Sequence, residues 1–292
     1  MQLESAPRNS PSRDAERVRL FGIDLTPVTL DKAVQDLMAW VTHPDGRCHF
    51  VVTPNVDHAL LFQERPEMRE AYSQASLVLA DGRPVVWISR LLGQPVPERV
   101  PGSDVTPALF DAARVDRTLD VFLLGAGPGV AEVAARNVRA RYPHVRVVGT
   151  YSPPLGFEKD PGENERILSM LEHSRPNVLV VGLGAPKQEL FVYRNLERLG
   201  FIPVALCVGA TIDFLAGAKQ RAPEWMQDYG LEWIHRAFSE PKRLLPRYAK
   251  NIWALPQLVW RELSEKGGGS RLRAVIELGR QRAKGASERS SD

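Results

Sequence analysis

The sequence offers little for redox or zinc chemistry. Its 292 residues include two cysteines, Cys48 and Cys207, far apart and each in apolar surroundings. Two cysteines alone make no zinc site, and a disulfide framework is not expected. No apolar run approaches the ~18 residues that a membrane span requires. The opening stretch, MQLESAPRNSPSRDAERVRL, is polar and mixed in charge, without the apolar segment of a signal peptide. The expected address is therefore cytoplasmic. There is no His/Cys cluster, no D-x-D pair, no G-x-S-x-G elbow and no G-x-x-x-x-G-K phosphate loop. A transferase that holds a diphosphate through a divalent ion would normally show carboxylates for it, so metal dependence is not expected.

What is present suits a folded globular protein. With 43% hydrophobic and 25% charged residues, the composition argues against disorder and fibrous repeats. Short Val/Leu/Ile-rich runs alternate with amphipathic stretches. Strands are expected at His49–Thr53, Leu77–Ala80, Leu119–Leu124, Val145–Gly149, Asn177–Leu183 and Val204–Val208. Helices are expected at Thr29–Trp40, Arg83–Leu92, Asp104–Val115, Gly129–Arg141, Asn164–His173 and Pro186–Leu199. Continuous apolar strands separated by helices of about 10 residues or more predict an α/β fold, a Rossmann-like parallel sheet with helices on both faces.

The alternation stops near Gly209. From Arg221 the pattern turns helical and rich in tryptophan and arginine, until Gly267, Gly268 and Gly269 interrupt it. Charge changes at the same place. Residues 219–292 hold 15 Lys+Arg and 9 Asp+Glu, a net of +6, whereas residues 1–218 carry a net of −3. The expected organisation is a polar leader (1–17), a catalytic body (18–218), a basic helical appendage (219–265) and a Gly-rich basic tail (266–292). A basic end is either a solvated helix or a surface for an anionic partner such as a phosphate ligand or lipid headgroups. No motif of a known nucleic-acid module accompanies it, so nucleic acid is not an expected partner.

In an open parallel sheet, ligands bind beyond the carboxyl ends of the strands. The first expected strand runs into Thr53-Pro54-Asn55-Val56-Asp57-His58, whose small polar groups either cap the next helix or bond a sugar. The second ends in Asp81-Gly82-Arg83-Pro84. There Asp81 is either a helix cap or a general base reaching into the crevice. The third opens into Gly125-Ala126-Gly127-Pro128-Gly129, a turn whose backbone N–H groups suit a phosphate. Its spacing departs from the dinucleotide fingerprint, and the next strand brings no acid for a ribose. A diphosphate of another nucleotide fits better than NAD. NVLVVGL leads to Gly184-Ala185-Pro186-Lys187-Gln188-Glu189, where Lys187 is expected to offset phosphate charge and Gln188 to orient a sugar. Asp213 in GATIDFLAG reads slightly better as a cap than as a second acid.

Taken in order, TPNVDHA, LADGRPVVW, RVPGSD, FLLGAGPGVAE, VGLGAPKQE, GATIDFLAG, RAPEWM, GLEWIHR and EPKRLLPRY resemble one family throughout, the WecG/TagA/CpsF glycosyltransferases. The resemblance implies a metal-independent, inverting enzyme at the inner face of the membrane, with no cofactor. Its members move N-acetylmannosamine from UDP to a GlcNAc-diphospho-undecaprenol acceptor, for teichoic acid linkage units or surface polysaccharide. It also implies Asp81 as base, with Thr53, Asn55 and Gln188 contacting substrate. Arg236, Arg243 and Arg247 match the appendage arginines that close over the diphosphate and meet the membrane. One departure is Pro246-Arg247-Tyr248, where many relatives have two basic residues before the tyrosine; Pro246 is expected to kink or end its helix. A homo-oligomer that covers the appendage away from the membrane is a further expectation.

Overall fold

The computed structural model describes residues 17–265, apart from Glu224, Gln227, Asp228, Gly230 and Glu240. The tail from 266 and all but the last residue of the expected leader lie outside the described residues.

A short antiparallel hairpin, β1 (Val18–Leu20) and β2 (Ile23–Leu25), comes first, followed by α1 (Leu30–Thr42) and β3 (His49–Val52). Two helices that the apolar pattern did not reveal, α2 (Val56–Glu64) and α3 (Pro66–Ser73), lead to β4 (Leu77–Val78) and α4 (Arg83–Leu91). Next come α5 (Gly102–Ala112), β5 (Leu119–Gly125), α6 (Val130–Arg141), β6 (Val145–Tyr151) and α7 (Pro161–Ser174). The chain continues through β7 (Val178–Gly182), α8 (Lys187–Arg194), β8 (Val204–Cys207) and α9 (Thr211–Ala216). The described residues close with α10 (Glu232–Ser239) and α11 (Pro241–Glu265).

Strands β3 to β8 form one parallel sheet in the order β4-β3-β8-β7-β5-β6, as the apolar strand pattern predicts. Apart from the edge strand β6, where Arg146 and Val148 are exposed, its strands are buried on both faces, so alternate residues enter two separate cores. Phe50, Val52, Leu179 and Val181 face a layer that includes α2, α3, α7 and α8. Val51, Val178, Val180 and Leu206 face α1, α5, α6 and α9. This is why whole strands, rather than every second residue, read as apolar.

Two glycines permit close approaches in this sheet. At Gly149 a Cβ would meet the Phe122 ring at 2.4 Å, beside a register shift between Val121 and Phe122. At Gly125, φ is +123° and a Cβ would lie 2.5 Å from the Gly182 backbone, so the ends of β5 and β7 touch main chain to main chain.

The helix α11 runs through positions 246 and 256, so Pro246 does not end it. Its second half is built into the body. Leu258 is buried in the first core layer, with Leu255, Val259 and Leu263 packed against it. Glu262 is buried too, and its carboxylate accepts a 2.8 Å hydrogen bond from the Phe21 N–H at the tip of the β1–β2 hairpin. Arg261 donates to the Gln63 side chain on α2 at 3.1 Å. Positions 255, 258, 259, 262 and 263 share one helical stripe, while Trp253 and Trp260, seven residues apart, occupy the opposite, exposed one.

Candidate active site

A cleft of about 520 Å³ opens at the carboxyl end of the sheet, a volume suited to a small-molecule ligand. All six parallel strands feed it. Thr53 and Asn55 follow β3, Asp81 follows β4, and Gly127 follows β5. Pro153 and Pro154 follow β6, Lys187 and Gln188 follow β7, and Asp213 follows β8. Six of the eight expected contact residues in the body therefore share one cavity: Thr53, Asn55, Asp81, Gly127, Lys187 and Gln188. Gly125 and Gly129 are not in its wall. Gly125 serves the β5–β7 contact, and Gly129 takes a left-handed φ of +79° at the start of α6. The Gly127 and Gly125 carbonyls both accept from the Ser152 hydroxyl, which pins this turn.

Asp81 does not cap the helix that follows it. The residue that precedes α4 is Gly82, at φ +101°, and no side chain caps that helix. The Asp81 backbone N–H donates to the Pro54 carbonyl at 2.9 Å, and the residue lines the cavity. Asn55 does cap: its Oδ1 accepts from the backbone N–H of Asp57 and of His58 at the start of α2. The Thr53 hydroxyl is buried and donates to the Cys207 carbonyl at 3.3 Å, which ties β3 to β8. Asp213 is not a cap, against expectation. Ala210 precedes α9 without a side-chain bond, and the Asp213 carboxylate lies 3.4 Å from Lys219 Nζ.

Gln188 is less available than its motif suggests. Its carbonyl oxygen accepts from the Gly184 and Gly209 amides at 3.2 and 3.1 Å, and its amide donates to Glu189 at 2.8 Å. The side chain is buried and braces the β7 turn against the β8 turn. Lys187 reaches the cavity but lies 3.2 Å from a Glu158 carboxylate oxygen. A hydrogen bond from its own backbone holds the Glu158 carboxyl below its ordinary value; desolvation opposes it, and Lys187 adds a lesser lowering.

The sequence reading assigned nothing to Arg99, although RVPGSD was among the motifs. Arg99 lines the cleft, bonding Asp104 at the start of α5 and Glu232 on α10, each at 3.2 Å. Arg221 joins the same carboxylate of Asp104 at 2.6 Å. Arg83, Lys219 and Trp233 complete the cationic and aromatic wall. Arg236 lies on α10, and Arg243 and Arg247 on α11, but their side chains lie outside the described residues; Leu244 and Leu255 of α11 reach the cleft. Among the described residues no group of three or more His, Cys, Asp or Glu is arranged to hold a metal ion. None of the described helices is long and apolar enough to cross a membrane.

A parallel sheet with a carboxylate, small polar groups and several cations converging beyond its strand ends suits an anionic small-molecule ligand. The profile of the glycosyl transferase WecG/TagA/CpsF family matches residues 18–269, and the chain belongs to that family. Its relatives include N-acetylglucosaminyldiphosphoundecaprenol N-acetyl-beta-D-mannosaminyltransferases of Staphylococcus aureus strains MRSA252 and MW2. Each is 30% identical over 228 residues, covering 78% of this chain and 87% of its own.

Proposed function

We propose that this chain moves N-acetylmannosamine from a UDP donor to a GlcNAc-diphospho-undecaprenol acceptor, in a single inverting displacement with Asp81 as base. The observation that carries the reading is Asp81 itself, a carboxylate with no capping duty in a cleft shared with Thr53 and Asn55. The names of the Staphylococcus aureus relatives support the choice of sugar and acceptor.

In this reading the acceptor hydroxyl gives its proton to Asp81 as its oxygen bonds the anomeric carbon. The bond from that carbon to the UDP oxygen breaks in the same step. The departing diphosphate gains charge, which Arg83, Arg99, Lys187 and Lys219 around the cleft are suited to meet without a metal. Arg236, Arg243 and Arg247 add to them from the appendage, and Gln188 acts by bracing the turns under the sugar. The body up to 218 carries the catalytic groups, and residues 219–265 close the site and meet the membrane. Exposed Phe238, Trp253 and Trp260 beside lysines and arginines suit an anionic bilayer surface. Away from the membrane, a homo-oligomer covers this face.

The test is UDP release by the purified full chain with UDP-N-acetylmannosamine and a short-chain GlcNAc-diphospholipid, with and without EDTA. Equal turnover in both is the expected result. Turnover with only another UDP-hexose would replace the donor, and silence across a panel of UDP-sugars with folded protein would overturn the reading.

A further inference from the structure

The body exposes an apolar and basic stripe that the proposed transfer does not use. Helix α4, RPVVWISRL, turns Val85, Val86 and Ile88 into the core layer that also holds Leu258 of α11. Its other side carries Trp87, 49% exposed, Leu91, 41% exposed, and Arg90. Arg90 donates to the Pro97 carbonyl at 3.4 Å, and among the described residues no carboxylate pairs with it. The helix holds two arginines and no acid. Its stripe begins in the cleft wall, because Arg83, one turn before Trp87, lines the cleft. From there to Leu91 it runs about 12 Å along the helix, at 1.5 Å per residue. A tryptophan and a leucine one turn apart make a small joined patch rather than scattered exposure. They offer far less than the ~800 Å² that each partner gives to a stable protein dimer. Tryptophan beside arginine suits a bilayer surface, where the ring sits among headgroups and the cation meets anionic lipid.

We propose that α4 is a second membrane contact, so that its Trp87–Leu91 stripe and the outer stripe of α11 flank the cleft and the cleft opens onto an anionic bilayer. Both helices line the cleft, α4 through Arg83 and Pro84 and α11 through Leu244 and Leu255. Both bury their inner stripes in one core layer, so their outer stripes lie on the same side of the sheet. Charge points the same way. Residues 1–218 carry a net of −3, which an anionic surface repels, but α4 within them presents only cations. Reach sets the third constraint. Asp81 stands two residues before α4, and a sugar-diphosphate head anchored by its lipid meets that carboxylate only if the bilayer lies close to the start of this helix. The proposal rests on the reading of the acceptor as lipid-linked and of Trp253 and Trp260 as membrane contacts.

Two measurements on the full chain test it. Cys48 and Cys207 are free but buried, so a cysteine placed on the surface alone takes up a thiol-reactive, environment-sensitive dye. Trp87→Cys, Trp253→Cys and Val115→Cys carry the dye on α4, on α11 and just before β5, at the end of the sheet away from the cleft. Leu91→Cys serves if Trp87→Cys does not fold. On vesicles of phosphatidylglycerol and phosphatidylcholine, the emission is expected to shift to the blue at positions 87 and 253 and to stay in place at 115. A shift at 253 without one at 87 overturns the proposal and leaves the membrane face of α11 standing; no shift at either position removes that face as well. A shift at 87 that needs no vesicles and grows with protein concentration means that a second copy covers α4, which also overturns it. The second measurement compares acceptors. Trp87→Ser with Leu91→Ser is expected to lower kcat/KM several-fold for an undecaprenyl-linked acceptor in those vesicles and to leave it unchanged for the short-chain acceptor in solution. No loss with either acceptor, or an equal loss with both, would overturn the proposal. If the unaltered chain turns over neither acceptor, the proposed function fails, and the dye shifts alone decide whether α4 meets the bilayer.

Discussion

Apart from Trp87 on α4, which is 49% exposed, the sheet body buries its large aromatic side chains, whereas the C-terminal part exposes most of its own. In the body, Trp40 is 6% exposed and stacks on His49 with ring centroids 4.0 Å apart. In and before the final helices, Trp225 is 57%, Trp253 81% and Trp260 70% exposed. Yet α11 is no loose arm, because Leu258 and Glu262 on its inner stripe are as buried as residues of the sheet. Similar amphipathic sequence thus serves two purposes. One stripe finishes the body's core, and the other presents apolar surface that the body does not cover, as a surface-binding helix does.

The largest effects should separate the two stripes. Leu258→Ala removes a side chain from a filled core layer and is expected to destabilise by roughly 2–5 kcal/mol, read from the urea midpoint. Trp253→Ser with Trp260→Ser should leave that midpoint within about 0.5 kcal/mol. The same pair should weaken sedimentation with anionic vesicles at least several-fold, with less effect on neutral ones. A loss of stability equal to that of Leu258→Ala would place these tryptophans in a core and remove the contrast. Next in size, Gly125→Ala forces a Cβ against the Gly182 backbone at 2.5 Å and should lower stability by about 1–3 kcal/mol, on the scale of overpacking.

Smaller effects test the dryness of the sheet. Burial pushes the Cys48 thiol up to about 12 and Cys207 well above its ordinary value. In the unfolded chain both ionise near the usual value of 9.0. The stability this contributes is therefore complete below about pH 9 and is lost as pH rises toward 12. The urea midpoint should fall between pH 8 and pH 10.5, and Cys48→Ala should flatten that fall. Neither thiol should react with a thiol reagent until the chain unfolds.

The parallel sheet was legible because strands buried on both faces read as continuous apolar runs with glycine at their ends. Helix α2 escaped because VDHALLFQE carries weak apolar periodicity, and α3 because PEMREAYS is short and holds few apolar residues. The β1–β2 hairpin escaped because each of its strands is three residues long. In the cleft, the positions of Asp81, between a strand and Gly82, and of Lys187, after a strand and Gly184, were legible from their place beyond a strand end. Arg99 was not, since it follows no strand and enters the wall through the turn before α5. Gln188 was found by motif, but a sequence does not tell a side chain that reaches into a crevice from one that braces its floor. Only its bonds to Gly184 and Gly209 decide that. Glu189 and Glu262 look like surface acids of amphipathic helices, and their burial depends on partners more than 100 residues away along the chain.

The proposed transfer is tested most directly by comparing the purified chain with Asp81→Asn in the UDP-release assay, with UDP-N-acetylmannosamine and GlcNAc-diphospholipid. If Asp81 is the base, kcat drops by about 10²-fold or more while the thermal midpoint and UDP binding stay as they were. Equal turnover by the two proteins would contradict the assignment of Asp81 and, with it, the chemistry placed in this cleft.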